Sequence, residues 1–549
     1  MEHFDWTYPA MLESVAASLA DAPCFIQDDK VTSWAEFDRQ ADALAARLLA
    51  LGLQHQSKVA VYSTNRPEFM VAYHAAMKAG LAPYNVNFRY SAEEIDYLLD
   101  NGDAEAVVFE ERYLSIADEV RQMSDRKVNW ICITDEGSST TLPDWVIPYN
   151  DVIADTPATR PVTAPWGRSG EDIFMIYTGG TTGMPKGVMW RQADMIGKGN
   201  YGGNVVLGIP PLGSPAEAGP RAAAAPIRPS AVIAPPLMHG TGFLTALTTL
   251  TSGGTVLLLS RGGFSADEVW GMVDTYKATR MTIVGQPFAQ PLLEVLDANP
   301  GRWDVSSMMV VTSSGAMWNQ ENKHGLLKYM PQAMMVDAFS SSEALGLGSS
   351  ITTADNEVKT ARFEIGEDCA CFTEEGERVV AGSGVRGKVA VGGFIPLGYY
   401  KDEAKTASTF VMIEGKRWSM PGDWAEVEAD GSLILLGRGS QCINTGGEKV
   451  FPEEVEEVLK RHAAIRDSAV AGIPHPRFGE QVIALVEFSE GAERPDQTAM
   501  IDHVKEHLAG YKAPRQILVV DEIPRAPNGK MDYKTVKEKA LDAFGQSAA

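Results

Sequence analysis

Positive charge is in short supply in this chain. Against 72 Asp and Glu there are 48 Lys and Arg, a formal net charge of −24 over 549 residues, with a pI near 4.9. A nucleic-acid backbone is repelled on average by such a surface, which argues against a general nucleic-acid role. A small anionic ligand is not excluded, since it needs only a locally positive pocket. Cysteine is scarce as well. Cys24, Cys132, Cys369, Cys371 and Cys442 are odd in number and scattered, and the Cys369/Cys371 pair has no second pair at zinc-site spacing. A disulfide framework and a zinc ribbon are both disfavoured, and the thiols read as structural or incidental. No run approaches the ~18 apolar residues of a membrane helix; stretches such as Val256-Leu257-Leu258-Leu259 are strand-sized. The opening Met1-Glu2-His3-Phe4-Asp5-Trp6 lacks the basic start of a signal peptide, and the tail carries no lipidation signal. These absences lead to the expectation of a cytoplasmic protein with no stable membrane insertion.

What is present is ordinary globular composition, 45% hydrophobic and 22% charged, with length for about three or four compact units. Trp34, Phe37, Ala41, Leu44, Leu48 and Leu51 recur at helical spacing. A strand pattern at 58–63, a helical one at 68–79 and a strand at 106–109 follow. Between them Ser91 and Glu94 stand at the spacing of a capping box. Strands alternating with helices predict an α/β fold on largely parallel sheets. Residues 201–230, rich in Gly, Pro and Ala, read as a long surface loop, inert or lid-like. From about 355 the pattern changes to short β-like pieces with Gly turns. After Gly437-Arg438-Gly439-Ser440 an α/β rhythm restarts, with a helix over 453–461, strands near 468–473 and 482–488, and a helix near 498–509. This predicts domains at 1–437 and 441–549, with a hinge at 438–440.

The strongest chemical signal is Tyr177-Thr178-Gly179-Gly180-Thr181-Thr182-Gly183-Met184-Pro185-Lys186-Gly187-Val188. Glycines let backbone N–H groups surround phosphate oxygens, threonines add hydroxyl donors, and Lys186 adds positive charge. A Walker loop needs Gly before the Lys and Ser/Thr after it; here Pro185 precedes, Gly187 follows, and Val188-Met189-Trp190 continues as strand. Gly382-Ser383-Gly384-Val385-Arg386-Gly387 matches G-x-G-x-x-G, but a strand rather than a helix follows, which argues against a dinucleotide site.

The glycine–threonine segment resembles the phosphate-binding signature of the adenylate-forming superfamily, which holds acyl-CoA synthetases, luciferases of the firefly type and peptide-synthetase adenylation domains. Further matches follow in order: Pro236-Leu237-Met238-His239-Gly240-Thr241-Gly242, then Asp337-Ala338-Phe339-Ser340-Ser341-Ser342-Glu343. After them come Gly398-Tyr399-Tyr400, Pro421-Gly422-Asp423, Gly437-Arg438, Gly446-Gly447-Glu448-Lys449, Tyr511-Lys512-Ala513-Pro514-Arg515 and Pro527-Asn528-Gly529-Lys530. Ser340 and Ser342 depart from the family's aromatic-Gly-x-Thr-Glu, and Ser440 stands at a hinge position where many members have Asp or Lys. The resemblance implies a large N-terminal domain of stacked α/β subdomains plus a β-rich subdomain, and a smaller mobile α+β C-terminal domain.

It also implies roles. Thr178, Gly179, Gly180, Thr181, Thr182, Gly183 and Lys186 would hold the phosphates of ATP. Glu343, with Thr181, would hold Mg²⁺, although a lone Glu is more often a solvated carboxylate. Gly315, Asp337, Phe339 and Ser342 would line the adenine and acyl region. Asp423 would accept from the ribose hydroxyls and Arg438 would contact ribose or phosphate. His239 would line the carboxylate site, and Lys530 would be the catalytic lysine. Gly446 and Gly447, locally consistent with a simple turn, would let pantetheine pass.

The implied reaction is ATP-dependent activation of a carboxylic acid to acyl-AMP with release of pyrophosphate, then transfer to coenzyme A. The alternative is delivery of acyl-AMP to a carrier protein. Apolar residues Met238, Phe243, Phe288, Met317 and Trp318 suggest a hydrophobic acyl group, each being equally compatible with core. The wording of the Gly446 and Gly187 segments looks most like bacterial ligases for long carboxylates or steroid side chains. A homodimer is the base-rate expectation for assembly.

Overall fold

Helix caps define the first elements. In the computed structural model, Ser33 caps the helix Trp34–Ala50 by accepting from Glu36 N at 3.2 Å, and the helix buries Trp34, Phe37, Ala41, Leu44 and Leu48. The capping box is formed: Ser91 N donates to Glu94 Oε2 at 2.8 Å and Glu94 N to Ser91 Oγ at 3.3 Å. The structure describes residues 5–154, 162, 164–180, 183–200, 210–261, 263–316, 318–356, 361–441, 443–445, 448–475, 479–508, 510–526 and 529–545. They divide into two compact units: Met1–Gly346, Ile351–Val358 and Gly392–Ser419, and Leu347–Ser350, Lys359–Val391 and Met420–Ala549. The hinge proposed at 438–440 lies within the second.

The first unit holds two sheets that are mainly parallel. One orders its strands Gly398–Tyr399, Gly183–Arg191, Ile173–Gly180, Ala82–Asn85, Lys58–Tyr62, Ala104–Glu110, Asn129–Ile133 and Val146–Pro148. The other runs Lys30–Ser33, Pro23–Gln27, Thr255–Leu258, Ser230–Ile233, Arg280–Ile283, Val310–Ser314 and Met334–Ser341. Buried runs such as Val256-Leu257-Leu258, fully inaccessible, suit strands covered on both faces. Around the second sheet Trp270, Met281, Leu292, Trp318 and Leu326 form one core; around the first, Tyr62, Tyr84, Phe109 and Trp130 form another.

In the second unit Arg362–Phe363, Leu433–Arg438, Asp423–Val427, Arg386–Val391 and Cys369–Phe372 make antiparallel pairs. The C-terminal part is a sheet of Glu448–Val450, Ile443–Thr445, Gly479–Phe488 and Ile465–His475, with Gln516–Val519 parallel to Gly479–Phe488. Alternation along Ile465–His475 divides its side chains between two cores. Ile465 and Val470 join Val455, Val458, Leu459, Met500 and Val504. Ala469, Ala471 and Ile473 join Val536 and Ala540. Helices Pro452–Lys460 and Gln497–His507 therefore cover one face, and Tyr533–Phe544 the other.

One expectation requires correction. The 201–230 segment is not simply a surface loop: 201–209 lie outside the described residues, but Ala218–Ala224 is a helix with Ala218, Gly219 and Ala222 buried. A Cβ on Gly219 would meet Ser14 O at 1.9 Å, so the helix lies directly on Tyr8–Ser18. Small residues, which resemble loop composition, here permit close helix approach. Gly382–Gly387 does run into a strand, Arg386–Val391. Cys24, Cys132, Cys369 and Cys371 are free and buried. Burial pushes the Cys132 and Cys371 thiols up to about 12, as suits inert packing groups; Cys442 lies outside the described residues. No described helix is long and apolar enough to cross a membrane.

Candidate active site

The glycine–threonine segment is the turn of an antiparallel hairpin, Ile173–Gly180 with Gly183–Arg191, in which Thr178 faces Lys186 and Tyr177 faces Gly187. A Cβ on Gly187 would stand 2.8 Å from the Tyr177 ring, so this glycine makes room for the tyrosine. The Tyr177 hydroxyl donates to Asn101 Oδ1 at 2.7 Å. Thr181 and Thr182 lie outside the described residues, and for Gly179, Gly180 and Gly183 only the strand backbone is described. Lys186 forms an ion pair with Asp402. Asp402 also caps the helix Glu403–Thr409 by accepting from Lys405 N at 2.8 Å. Its carboxyl sits below the usual range, first through the Lys186 hydrogen bond and then through that of Lys405 N.

Asn85 fastens the base of this hairpin. Its Nδ2 donates to Tyr177 O at 3.0 Å and to Met238 O at 2.7 Å, and its Oδ1 accepts from Tyr177 N at 2.8 Å. A buried amide satisfied on both ends is a strong positional constraint. It sets the glycine–threonine hairpin beside the residue preceding His239. His239 in turn stands at the N-cap of helix Gly240–Thr251, its carbonyl accepting from Phe243 N at 3.0 Å. Gly242 is obligatory there, because a Cβ would meet Pro236 O at 2.5 Å.

The strand Gly183–Arg191 carries the next connections. Trp190 Nε1 donates to Ser342 O at 2.9 Å, and Tyr399 pairs with Val188 across the sheet. The Tyr399 hydroxyl donates to Glu343 Oε1 at 2.8 Å, and Ser419 Oγ donates to Glu343 O at 2.6 Å. Gly240 is close enough to Ser342 that a Cβ would lie 3.7 Å from its Oγ. Within one unit the strand that carries Lys186 is thus tied to Ser342 through Trp190 and to Glu343 through Tyr399, while Asn85 fastens Met238, the neighbour of His239, to the same hairpin. The departure at Ser340 has a local use: its Oγ accepts from Gly346 N at 3.0 Å, across the turn between adjacent strands.

Asp337 follows in the strand Met334–Ser341, with Ser313 opposite it and Ser314 opposite Ala338. It pairs with the Lys323 ammonium, whose side chain is 1% exposed. Gly315 turns the chain at φ +93° just beyond Val310–Ser314, and Phe339 is buried. Of the apolar candidates, Met238, Phe243 and Trp318 are all buried. Phe243 packs on Tyr73 with ring centroids 4.6 Å apart, Met238 Sδ accepts from Phe88 N at 3.3 Å, and Trp318 belongs to the core. Phe288 stands edge-on to Phe264; Met317 lies outside the described residues.

In the second unit Asp423 is buried and pairs in register with Arg438, of which only the backbone is described. The adjoining turns are tight: Gly439 N donates to Gly422 O at 3.0 Å, and Gly422 has φ +108°. Gly446 and Gly447 lie outside the described residues. Lys530 is exposed on a hairpin turn whose Gly529 has φ +82° and whose Ala526 N donates to Lys530 O at 2.8 Å. Arg525 braces the turn: Nη1 donates to Gly529 O at 2.9 Å while Nε donates to Asp467 Oδ2 at 3.1 Å. Sequence reasoning did not single out Asn85, Asp402, Arg525 or Asp467, and it gave Tyr399, inside the quoted Gly398-Tyr399-Tyr400, no role of its own. Arg525 flanks a quoted motif; for Asn85 the only local trace is a polar residue closing an apolar strand.

With this geometry established, sequence comparison is decisive. The AMP-binding enzyme family matches residues 12–400, and the AMP-binding enzyme C-terminal domain matches residues 454–530. The chain belongs to the AMP-binding enzyme family. Among curated members it is 38% identical, over 96% of its length and 95% of the relative's, to a medium/long-chain-fatty-acid–CoA/3-oxocholest-4-en-26-oate–CoA ligase of Mycolicibacterium smegmatis. It is 37% identical to a 3-oxocholest-4-en-26-oate–CoA ligase of Rhodococcus rhodochrous, covering 93% of this chain and 92% of that protein. Among solved structures it superposes on ATP-bound MatB from Rhodopseudomonas palustris with a TM-score of 0.80, at 21% identity, covering 98% of this chain and 100% of that one. That likeness concerns the fold, and agrees with the expected large α/β N-terminal part and smaller C-terminal part. As an AMP-binding enzyme the chain places its matched residues 12–400 over both sheets of the first unit and the hairpin they support.

Proposed function

We propose that this AMP-binding enzyme is an ATP-dependent, AMP-forming acyl-CoA ligase acting on hydrophobic carboxylic acids of the medium- or long-chain fatty and steroid side-chain classes, in the cytoplasm. The observation that carries the reading is that the strand Gly183–Arg191, which bears Lys186, is tied to Ser342 and to Glu343, with Met238 beside His239 fastened to the same hairpin. In the first half-reaction a substrate carboxylate oxygen bonds to the α-phosphorus of ATP and pyrophosphate leaves. In the second, the sulfur of CoA bonds to the acyl carbon, AMP leaves, and the thiol proton passes to solvent.

A carboxylate is a weak nucleophile and is repelled by polyphosphate, so masking of charge and alignment dominate. Lys186 leaves Asp402 for the phosphates, and the backbone of Thr178, Gly179, Gly180 and Gly183, with the hydroxyls of Thr181 and Thr182, surrounds their oxygens. Glu343 is a carboxylate held in place by Tyr399, the hard oxygen donor that Mg²⁺ prefers; with Thr181 it would hold the ion, which neutralises phosphate charge when bound. His239 borders the acid. Asp423 accepts from the ribose, Arg438 contacts ribose or phosphate, and Gly315, Asp337, Phe339 and Ser342 border adenine. Lys530 stabilises charge building between carboxylate and α-phosphate, and Gly446 and Gly447 border the pantetheine of CoA. The testing experiment is a panel of fatty, steroid side-chain and arylalkanoic acids, assayed for pyrophosphate release and then for thioester with CoA. Release without CoA consumption would redirect the reading to a carrier-protein acceptor; no release with any acid would refute it.

A further inference from the structure

Helix Gln497–His507 ends in His503-Val504-Lys505-Glu506-His507, a stretch used by none of the roles above. One ligand atom from each of His503, Glu506 and His507 lies within 4.8 Å of the other two. The spacing i, i+3, i+4 places all three on one face of the helix. Glu506 and His507 are exposed and His503 is half-buried, so an ion has access from solvent.

The hydrogen bonds fix which ring nitrogens can ligate. His503 Nε2 lies 3.0 Å from Val458 O, and His507 Nδ1 lies 2.9 Å from His503 O. A carbonyl oxygen only accepts, so both of these nitrogens carry the proton. In the neutral imidazoles His503 Nδ1 and His507 Nε2 therefore hold the lone pairs. Orientation of a ligating histidine by donation of its other N–H to a backbone carbonyl is the usual outer support of a metal site. The Val458 carbonyl comes from the last turn of Pro452–Lys460, so the His503 ring is anchored from a second helix. His462 stands edge-on to His503, with ring centroids 5.4 Å apart. Its Nδ1 accepts from Ala464 N at 3.2 Å, which takes up its lone pair and leaves it a packing group.

Two imidazoles and a carboxylate are a donor set suited to Zn²⁺ and related transition ions, not to Mg²⁺ or Ca²⁺, whose ligands are all oxygen. We propose that His503, Glu506 and His507 form a surface site for a divalent transition ion of the zinc class, completed by water. Binding would draw the three donors, now within 4.8 Å of one another, onto a common ion. Because the donors meet only while the last turn is helical, binding also favours the folded form of this helix.

The test uses full-length, chelator-stripped protein without nucleotide, titrated with Zn²⁺ against a competing indicator. The wild type should take up one more equivalent than the His503→Ala/His507→Ala double variant. Glu506→Gln, at an exposed position that cannot compromise folding, should weaken that equivalent by about tenfold or more. Mg²⁺ in excess should not displace it. Equal Zn²⁺ uptake by wild type and double variant, or no uptake by either, would overturn the proposal, as would unchanged affinity in Glu506→Gln.

Discussion

Tyr399 donates its hydroxyl to Glu343 Oε1 across 2.8 Å, and Tyr399 itself is paired in register with Val188 of the glycine–threonine hairpin. The carboxylate proposed to serve Mg²⁺ is thereby held by the strand proposed to grip the phosphates. A hydrogen bond to a charged group is worth about 1.5–3 kcal/mol. Tyr399→Phe should therefore lower kcat/KM for acid-dependent pyrophosphate release by about 10–100-fold, with the Mg²⁺ requirement shifted upward. Initial rates over a Mg²⁺ series check this; an unchanged Mg²⁺ dependence would separate Tyr399 from the site.

Lys186 rests on Asp402, and polyphosphate must compete with that carboxylate for it. The pair is partly exposed and so worth at most about 1 kcal/mol. Asp402→Asn keeps a competent cap for the helix Glu403–Thr409 and removes the competing charge. KM for ATP should fall by up to about fivefold, read from pyrophosphate release at saturating acid. A rise in KM would mean that Asp402 positions the lysine instead.

Glu456 is buried, accepting from Val470 N at 2.8 Å and from the Tyr533 hydroxyl at 3.1 Å. Burial raises its carboxyl to about 7, with Asp467 adding to the rise, while Lys460 and Val470 N oppose it. The folded state thus binds a proton that the unfolded chain has already released, and Glu456's contribution to stability is greatest below the ordinary glutamate value. It declines as pH rises from the ordinary glutamate value toward 7 and is level above that. Glu456→Gln should remove this decline, so its melting temperature relative to wild type should rise between pH 5 and pH 8. Paired thermal melts at the two pH values check the sign; a constant difference would contradict it.

Gly219 is where helix Ala218–Ala224 meets Ser14 O. Gly219→Val should destabilise the first unit by about 1–3 kcal/mol or more, through overpacking against backbone, and denaturant melts should register it. Gly52, whose Cβ meets nothing within 4 Å, serves as a control position, although its φ of +87° calls for Asn there and not Val.

Much of this was legible in the chain itself. Ser91 and Glu94 announce their helix because capping is local, and the hairpin at 173–191 follows from a strand, a glycine turn and a second strand. The ordered motifs carried the family. Asn85 was not legible, because its two carbonyl partners lie 92 and 153 residues away and a polar residue ending a strand resembles any turn. The helix at 218–224 was hidden because Ala and Gly signal loop when isolated, and signal close packing only once Ser14 is beside them. Met238, Phe243 and Trp318 show the complementary ambiguity: apolar residues near a motif serve as core as readily as pocket.

The most direct test of the central claim separates the two half-reactions in Lys530→Ala. Loss of a preorganised positive donor costs about 3–4 kcal/mol, or 10²–10³ in rate. Acyl-AMP formation, followed as acid-dependent pyrophosphate release, should fall by that factor, while thioester formation from supplied acyl-AMP and CoA stays near the wild-type rate. Equal loss in both half-reactions, or no loss in the first, would contradict the account.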